Sequence, residues 1–223
     1  FYLSKRRNKK PISYILGFKY FWKYKFYINK STLIPRPESE HIVEQTLKYM
    51  PRGKSMKILD IGTGSGCLVI SLLKERYNCI ATAIDISKEA LKVAKINAKL
   101  HHLENKIRFF NIDIDKFNSN KYDLIISNPP YINKVDLNRL EDDVKLFEPK
   151  LALYGGISGF DAIEKIINKS SKLLRCKGKL IIEIGHKQKN NAIKILNKNG
   201  FYINEICKDL SGKDRCLVST KIN

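Results

Sequence analysis

The residues best placed to do chemistry in this chain fall in two short runs. The first is Ile58-Leu59-Asp60-Ile61-Gly62-Thr63-Gly64-Ser65-Gly66, apolar at first and then glycine-rich. Glycine at every second position lets a backbone turn sharply and lets a ligand approach closely, and a helix opening after the loop offers its free N–H groups. A plain strand-to-helix turn would use the same residues. The spacing narrows the ligand: a dinucleotide fingerprint has Gly-x-Gly-x-x-Gly, whereas here the third glycine arrives one residue early and Cys67 takes the sixth position. Asp60, two residues before Gly62, would meet a cationic amine better than a pyrophosphate. Asp85 ends the next apolar run, placed to accept from both hydroxyls of a ribose. An acid there would equally favour the helix that starts after Ser87. Asp113, with Ile114 beside it, is placed to accept from an adenine amine, although Asp113 and Asp115 also read as solvated loop acids. An anionic lip on a glycine loop suits the ammonium and sulfonium groups of S-adenosylmethionine. The expected cofactor contacts are Asp60, Gly62, Thr63, Gly64, Ser65, Gly66, Asp85, Asp113, Ile114 and Asn128.

The second run is Ser127-Asn128-Pro129-Pro130-Tyr131, which follows the apolar stretch Tyr122 to Ile126. Two consecutive prolines cannot continue a strand and have no N–H to donate. They also hold Asn128 extended. What is left is a stiff array of acceptors, the Asn128 side-chain oxygen and the Pro129 carbonyl, with the Tyr131 ring as a flat wall and Pro130 lining the substrate side. Such an array suits a planar nitrogen bearing two N–H groups, whose third direction then points at a methyl sulfonium in near-attack alignment. An amide or aromatic amine is a poor nucleophile because its lone pair is delocalised, and acceptors that draw it toward tetrahedral geometry lower that barrier. Asn128, Pro129 and Tyr131 are therefore the expected catalytic residues, with Pro130 added for substrate binding. A stiff loop is the alternative use of the same residues.

The elements needed to hold these runs are visible in the periodicity. Short apolar runs at Lys57 to Ile61, Cys79 to Ile84, Ile107 to Phe110, Tyr122 to Ser127, Gly178 to Ile184, Phe201 to Cys207 and Cys216 to Thr220 predict seven strands. Helical spacing predicts helices at Glu38 to Met50, Cys67 to Arg76, Ser87 to Leu100 with Ser87 as N-cap, Gly159 to Leu174 and Lys187 to Asn199. Alternation of this kind implies an α/β, doubly wound sheet, and the helix-free stretch Lys208 to Arg215 implies that the last strand runs antiparallel. Ahead of it, the aromatic-rich residues 14 to 32 read as a β-hairpin.

Composition sets outer limits. With 43% apolar and 29% charged residues the chain can bury one ordinary core, and no apolar run approaches the roughly 18 to 20 residues of a membrane helix. Five cysteines without a Cys-x-x-Cys pair, and no histidine at zinc-ligand spacing, argue against a metal site or a disulfide framework and suit a reducing cytosol. The net charge of +20 invites a nucleic-acid or ribosomal partner, but 33 of the 42 basic residues are Lys and they are scattered, as a chain-wide compositional bias would also leave them. The chain starts at Phe1 without a methionine and so reads as a fragment or a processed product.

Asn128-Pro129-Pro130-Tyr131 after a strand, with the glycine loop before it, resembles the amino-group methyltransferases of DNA, RNA and protein. Leu33-Ile34-Pro35-Arg36-Pro37-Glu38-Ser39-Glu40 is similar to the Ile-Pro-Arg-Pro-Glu-Thr-Glu signature of one branch, the HemK/PrmC group, which methylates a glutamine side chain in peptide chain release factors; only Ser39 for Thr departs from it. Arg7 with Pro11 to Gly17, Phe147 to Gly156 with Gly159, Glu183-Ile184-Gly185 with Gln188, and Asp209 to Gly212 with Asp214-Arg215 are similar to further blocks of that group. The resemblance covers nearly the whole chain. It implies a Rossmann-like seven-stranded methyltransferase sheet preceded by a hairpin, S-adenosyl-L-methionine as cofactor, a release factor carrying a Gly-Gly-Gln loop as partner, and a cytoplasmic place of work near ribosomes. The group also carries an N-terminal helical domain, so the expected organisation is a remnant linker and hairpin at 1–34 without that domain, then a methyltransferase domain at 35–223. Two other functions fit the motifs. One is a nucleic-acid amine methyltransferase, for which no target-reading insert is apparent; the other is a cofactor-binding remnant without activity.

Overall fold

The computed structural model describes residues 2–119 and 121–222. In chain order its elements are α1 (Tyr2–Arg7), α2 (Ile12–Leu16), β1 (Phe18–Phe21), β2 (Tyr24–Tyr27), α3 (Glu40–Lys48), β3 (Lys57–Ile61), α4 (Cys67–Glu75), β4 (Ile80–Asp85), α5 (Lys88–Leu100), β5 (Ile107–Asn111), β6 (Tyr122–Ser127), α6 (Lys134–Asn138), α7 (Asp142–Phe147), α8 (Asp161–Leu173), β7 (Leu174–Glu183), α9 (Lys189–Lys198), β8 (Phe201–Lys208) and β9 (Asp214–Lys221). A 3-10 turn at Pro37–Ser39 leads into α3. Strands β3 to β9 form one seven-stranded sheet in the order β5-β4-β3-β6-β7-β9-β8, and β1 and β2 pair as a separate hairpin. Within the seven-stranded sheet β9 runs antiparallel to both β7 and β8, and the other described pairs are parallel.

Both faces of the sheet are covered, and the sequence alternates accordingly. In β6, Leu124 and Ile126 enter an apolar cluster with Ile42 and Val43 of α3 and Leu72 of α4. Ile125, between them, enters the cluster on the other face with Ile163 and Ile167 of α8 and Leu196 of α9. Strands buried on both faces read as continuous apolar runs, which is why these strands are plain in the sequence. The hairpin docks on the first cluster through Phe21 and Phe26. Asn97 of α5 fixes that docking: it accepts from the Tyr27 N–H at 2.7 Å and donates to the Tyr27 carbonyl at 2.9 Å and the Ser65 carbonyl at 2.8 Å.

Several expectations need correction at their edges. The hairpin does not begin at residue 14; Ile12 to Leu16 form a helical turn, opened by Pro11 and closed by Gly17 in the left-handed region at φ 79. The Tyr14 hydroxyl donates to the Thr32 carbonyl at 2.5 Å, so an aromatic that resembles strand sequence serves to pin a loop. Helix α8 starts at Asp161, not at Gly159, which sits at φ 81. The following strand starts at Leu174, four residues early, because Leu174 already pairs with Tyr122 before a register shift. Helices α1, α6 and α7 carry no signal that the periodicity picked up; each has six residues or fewer.

The sheet order places the two chemical runs together. Strand β3 lies between β4 and β6, so the chain reverses its direction of winding there, and ligands of such sheets sit at the carboxyl ends on either side of that switch. The Ser127 hydroxyl donates to the Ile61 carbonyl at 2.7 Å and ties the ends of β3 and β6 together.

Candidate active site

A cavity of about 410 Å³ opens at this switch point. Its walls include Gly62, Thr63, Gly64 and Ser65 from the loop after β3, Asp85 and Ile86 after β4, Ile112, Asp113 and Ile114 after β5, and Asn128, Pro129 and Pro130 after β6. All three loop glycines lie at positive φ, 71, 56 and 80 for Gly62, Gly64 and Gly66. At Gly64 the reason is specific: the turn aims its N–H at Asp85 Oδ2, 2.9 Å away, and a side chain there would stand in open space facing the cavity. Asp85 also accepts from the Ser87 N–H at 2.8 Å through Oδ1, while the Ser87 hydroxyl caps α5 at the Ala90 N–H, 3.1 Å away. Asp85 thus serves both uses read from the sequence, bracing a helix start and lining the cavity. Each carboxylate oxygen keeps a lone pair for a further donor. Burial raises its pKa against the pull of those backbone donors.

Asp60 is placed differently from its expected contact with a ligand amine. It is fully buried and does not line the cavity. Its Oδ2 accepts from the Thr63 hydroxyl at 2.6 Å, and Oδ1 has no partner among the described residues. Burial pushes its pKa up to about 7. The cause is the alternation of β3: Ile58 enters the cluster under α4, and Asp60, two residues on, shares that face. Gly66 likewise lies off the wall, where a Cβ would stand 3.0 Å from Ile70 Cδ1 and 3.4 Å from Ala94; it lets α4 and α5 pack closely.

The two acids after β5 separate. Asp113 lines the cavity and its Oδ1 caps the local turn at the Asp115 N–H, 2.9 Å away. Asp115 instead pairs with Lys165 at 3.0 Å on the surface. Ile86, Ile112 and Ile114 line the cavity with Asp113 and make that stretch of its wall apolar. Ile86 was not anticipated; an apolar residue half-exposed directly after a strand-ending acid was the available signal.

On the β6 side, Asn128 donates through Nδ2 to the Ser39 hydroxyl at 2.8 Å, leaving Oδ1 without a partner among the described residues. Tyr131 does not form a wall of the cavity. Its hydroxyl donates to Glu183 Oε1 at 3.2 Å, its ring packs on the α8 and α9 side, and burial raises its pKa. The Pro-Pro-Tyr backbone is clamped from behind. Gln188 donates through Nε2 to the Tyr131 carbonyl at 3.1 Å and the Gly159 carbonyl at 3.0 Å, and accepts from the Gly185 N–H at 2.8 Å. A Cβ on Gly159 would stand 2.5 Å from the Tyr131 carbonyl oxygen, so that approach admits only glycine. Arg36, also on the cavity wall, forms an ion pair with buried Glu148, which accepts from the Ile34 N–H at 3.1 Å.

A glycine loop on the first strand of a sheet of this order, an acid ending the second and an acceptor array after the fourth define an S-adenosylmethionine-dependent methyltransferase. The residues present fit that cofactor: a half-buried carboxylate with free lone pairs lines the cavity, apolar residues adjoin it, and the backbone of Gly62 and Gly64 leaves room for close approach. Residues 52–219 match the family model described as a methyltransferase domain. The release factor glutamine methyltransferase of Buchnera aphidicola subsp. Baizongia pistaciae is 38% identical over 219 residues, which span 98% of this chain and 78% of that protein. The enzyme of the same name from Clostridium acetobutylicum is 35% identical, over 99% of this chain and 78% of its own. Among solved structures, a methyltransferase from Pyrococcus furiosus superposes with a TM-score of 0.69 at 21% identity, over 98% of this chain and 100% of that one. The chain belongs to the release factor glutamine methyltransferase family, and S-adenosylmethionine is its cofactor.

Proposed function

We propose that this chain methylates the side-chain amide nitrogen of a glutamine, presented on a Gly-Gly-Gln loop of a peptide chain release factor. The observation that carries the reading is the pair of unused acceptors on the cavity wall, Asn128 Oδ1 and the Pro129 carbonyl, beside the cofactor loop. When bound, the cofactor would supply an electrophilic methyl group, its carbon–sulfur bond breaking as the nitrogen–carbon bond forms. The Asn128 and Pro129 oxygens accept hydrogen bonds from the two amide N–H groups, turn the nitrogen lone pair toward that methyl and favour its pyramidal form. The methylated nitrogen is a strong acid and gives its extra proton to water, so no general base is required of the chain. Gln188 and Gly159 hold the Pro-Pro-Tyr backbone still from behind.

Within this reading Asp85 holds the ribose, Asp113 and Ile114 the adenine end, and Gly62 to Ser65 the amino-acid end. Asp60 and Gly66 shape the loop from beneath, and Tyr131 braces the acceptor run. Residues 1–34 act as a linker and hairpin docked on the 35–223 domain; Phe21 and Phe26 in the main apolar cluster support this. The place of action is the cytoplasm within reach of ribosomes, a reading supported by the net charge of +20 and by relatives named for release factors. Labelled methyl offered to a release factor, tRNA and DNA side by side tests the substrate. Label is expected on the release factor and lost when its glutamine is replaced by alanine. Label on nucleic acid alone would overturn the reading.

A further inference from the structure

We infer that Ser39 and Glu183 are positioning residues that fix which way round the Asn128 amide sits. Their role rests on the proposed acceptor role of Asn128, which they enforce. An asparagine side chain has a donor end and an acceptor end of nearly the same shape. Packing alone therefore chooses poorly between the two flips, yet only one flip presents an acceptor to a substrate N–H.

The structure resolves the choice through a directed chain. Glu183 ends β7, is 2% exposed, and as a carboxylate can only accept. The Ser39 hydroxyl, 3% exposed, donates its one proton to Glu183 Oε2 at 2.6 Å. What Ser39 then offers on its other side is a lone pair. Asn128 must answer with Nδ2, and does so at 2.8 Å, which leaves Oδ1 unpartnered on a residue that lines the cavity. The second oxygen of Glu183 accepts from the Tyr131 hydroxyl at 3.2 Å, so the carboxylate is anchored to the same loop whose asparagine it orients. These links span 144, 89 and 52 residues of sequence, and each tie is between different elements of the fold.

The polarity of the chain depends on Glu183 being ionised. Burial raises its pKa to about 7, with the Ser39 and Tyr131 hydroxyls and Arg215 of β9 opposing that rise and Glu38 adding to it; Cys216 of β9 is its cross-strand neighbour. Once protonated, Glu183 can donate to Ser39. The Ser39 proton is then free to turn toward Asn128, and the amide can flip its oxygen inward. Methyl transfer should therefore lose rate as pH falls through about 7, and the loss should travel through Ser39.

The test uses the full chain with Ser39→Thr, which keeps the hydroxyl, and Ser39→Val, which matches threonine in shape without it. Single-turnover transfer to a release factor is measured from pH 5.5 to 8.5, with S-adenosylmethionine affinity by calorimetry. Ser39→Thr is expected within about threefold of the parent with the same acid limb. Ser39→Val is expected at least about tenfold slower at pH 8, with unchanged cofactor affinity and no acid limb. In parallel, the Asn128 side-chain amide is followed by nitrogen-proton NMR, which needs no substrate. Its resonances should titrate near neutral pH in the parent and Ser39→Thr, and become pH-independent in Ser39→Val. An Asn128 amide that titrates identically in all three proteins, or does not titrate in the parent, would overturn the inference. So would Ser39→Val transferring at the parent rate. A parent that shows the amide titration but labels no release factor would sustain the positioning role and fault the substrate assignment instead.

Discussion

The two walls of the cavity are built on opposite plans. The cofactor wall is local: Asp85 braces Gly64 and Ser87, Thr63 braces Asp60, and Asp113 caps its own turn at Asp115. The acceptor wall is assembled at long range: Asn128 leans on Ser39, Ser39 on Glu183, and the Tyr131 backbone on Gln188. A local wall tolerates distant change and fails when its own backbone is altered. A wall assembled from distant segments holds its shape only when the whole sheet is in register, and its parts fail in ways that separate catalysis from binding.

The largest effect that would break this contrast is at Gly64. A valine there combines a positive φ with a branched side chain facing the cavity, and S-adenosylmethionine affinity measured by calorimetry should fall at least about a hundredfold. Binding within threefold of the parent would mean the loop does not cradle the ligand. Asp85→Ala should weaken the cofactor by about 1.5 to 3 kcal/mol through loss of a charged acceptor. The same change should lower Tm modestly, because the Gly64 and Ser87 N–H groups lose their partner. A Tm drop with unchanged affinity would reduce Asp85 to a loop brace.

A smaller effect sharpens the difference between buried and lining acids. Burial raises Asp60 from 3.8 to about 7, so it is a group whose folded pKa lies above its unfolded one. Its contribution to stability is full below about pH 4 and is lost as pH rises through about 7. Asp60→Asn should flatten the fall in Tm between pH 5 and 8, a change of a few degrees for a domain of this size. Thermal melts at the two pH values measure it. An unaltered slope would place the neutral-pH titration elsewhere, with Glu183 the next group to examine.

This difference between the walls also explains what could be read from the sequence. Strand positions came through within a residue or two for β3, β4, β6 and β9, since each is an apolar run bounded by polar turns. The glycine loop, Asp85 and the Asn-Pro-Pro run are contiguous with those strands, and knowing the strand placed them at its carboxyl end. Arg36, Glu148 and Glu183 lie in segments marked only by the family resemblance, and their partners are 112 and 144 residues away. No periodicity reports a bond of that span. Asp60 was legible only in part: its distance from Gly62 suggested a ligand contact, and the pleat of β3 that buries it under α4 is not visible in that spacing. Tyr14 misled by composition, being an aromatic of strand type used in a helical turn.

On the proposed mechanism Asn128 aligns the nucleophile and contributes little to holding the cofactor. Asn128→Ala, assayed by single-turnover transfer to a release factor alongside equilibrium binding of S-adenosylmethionine, tests it most directly. The expected rate is lower by about a hundredfold or more, as for removal of a preorganised hydrogen-bond partner, with cofactor affinity changed by less than about threefold. Transfer at the parent rate would contradict it and return Asn128 to the role of a turn residue ahead of two prolines.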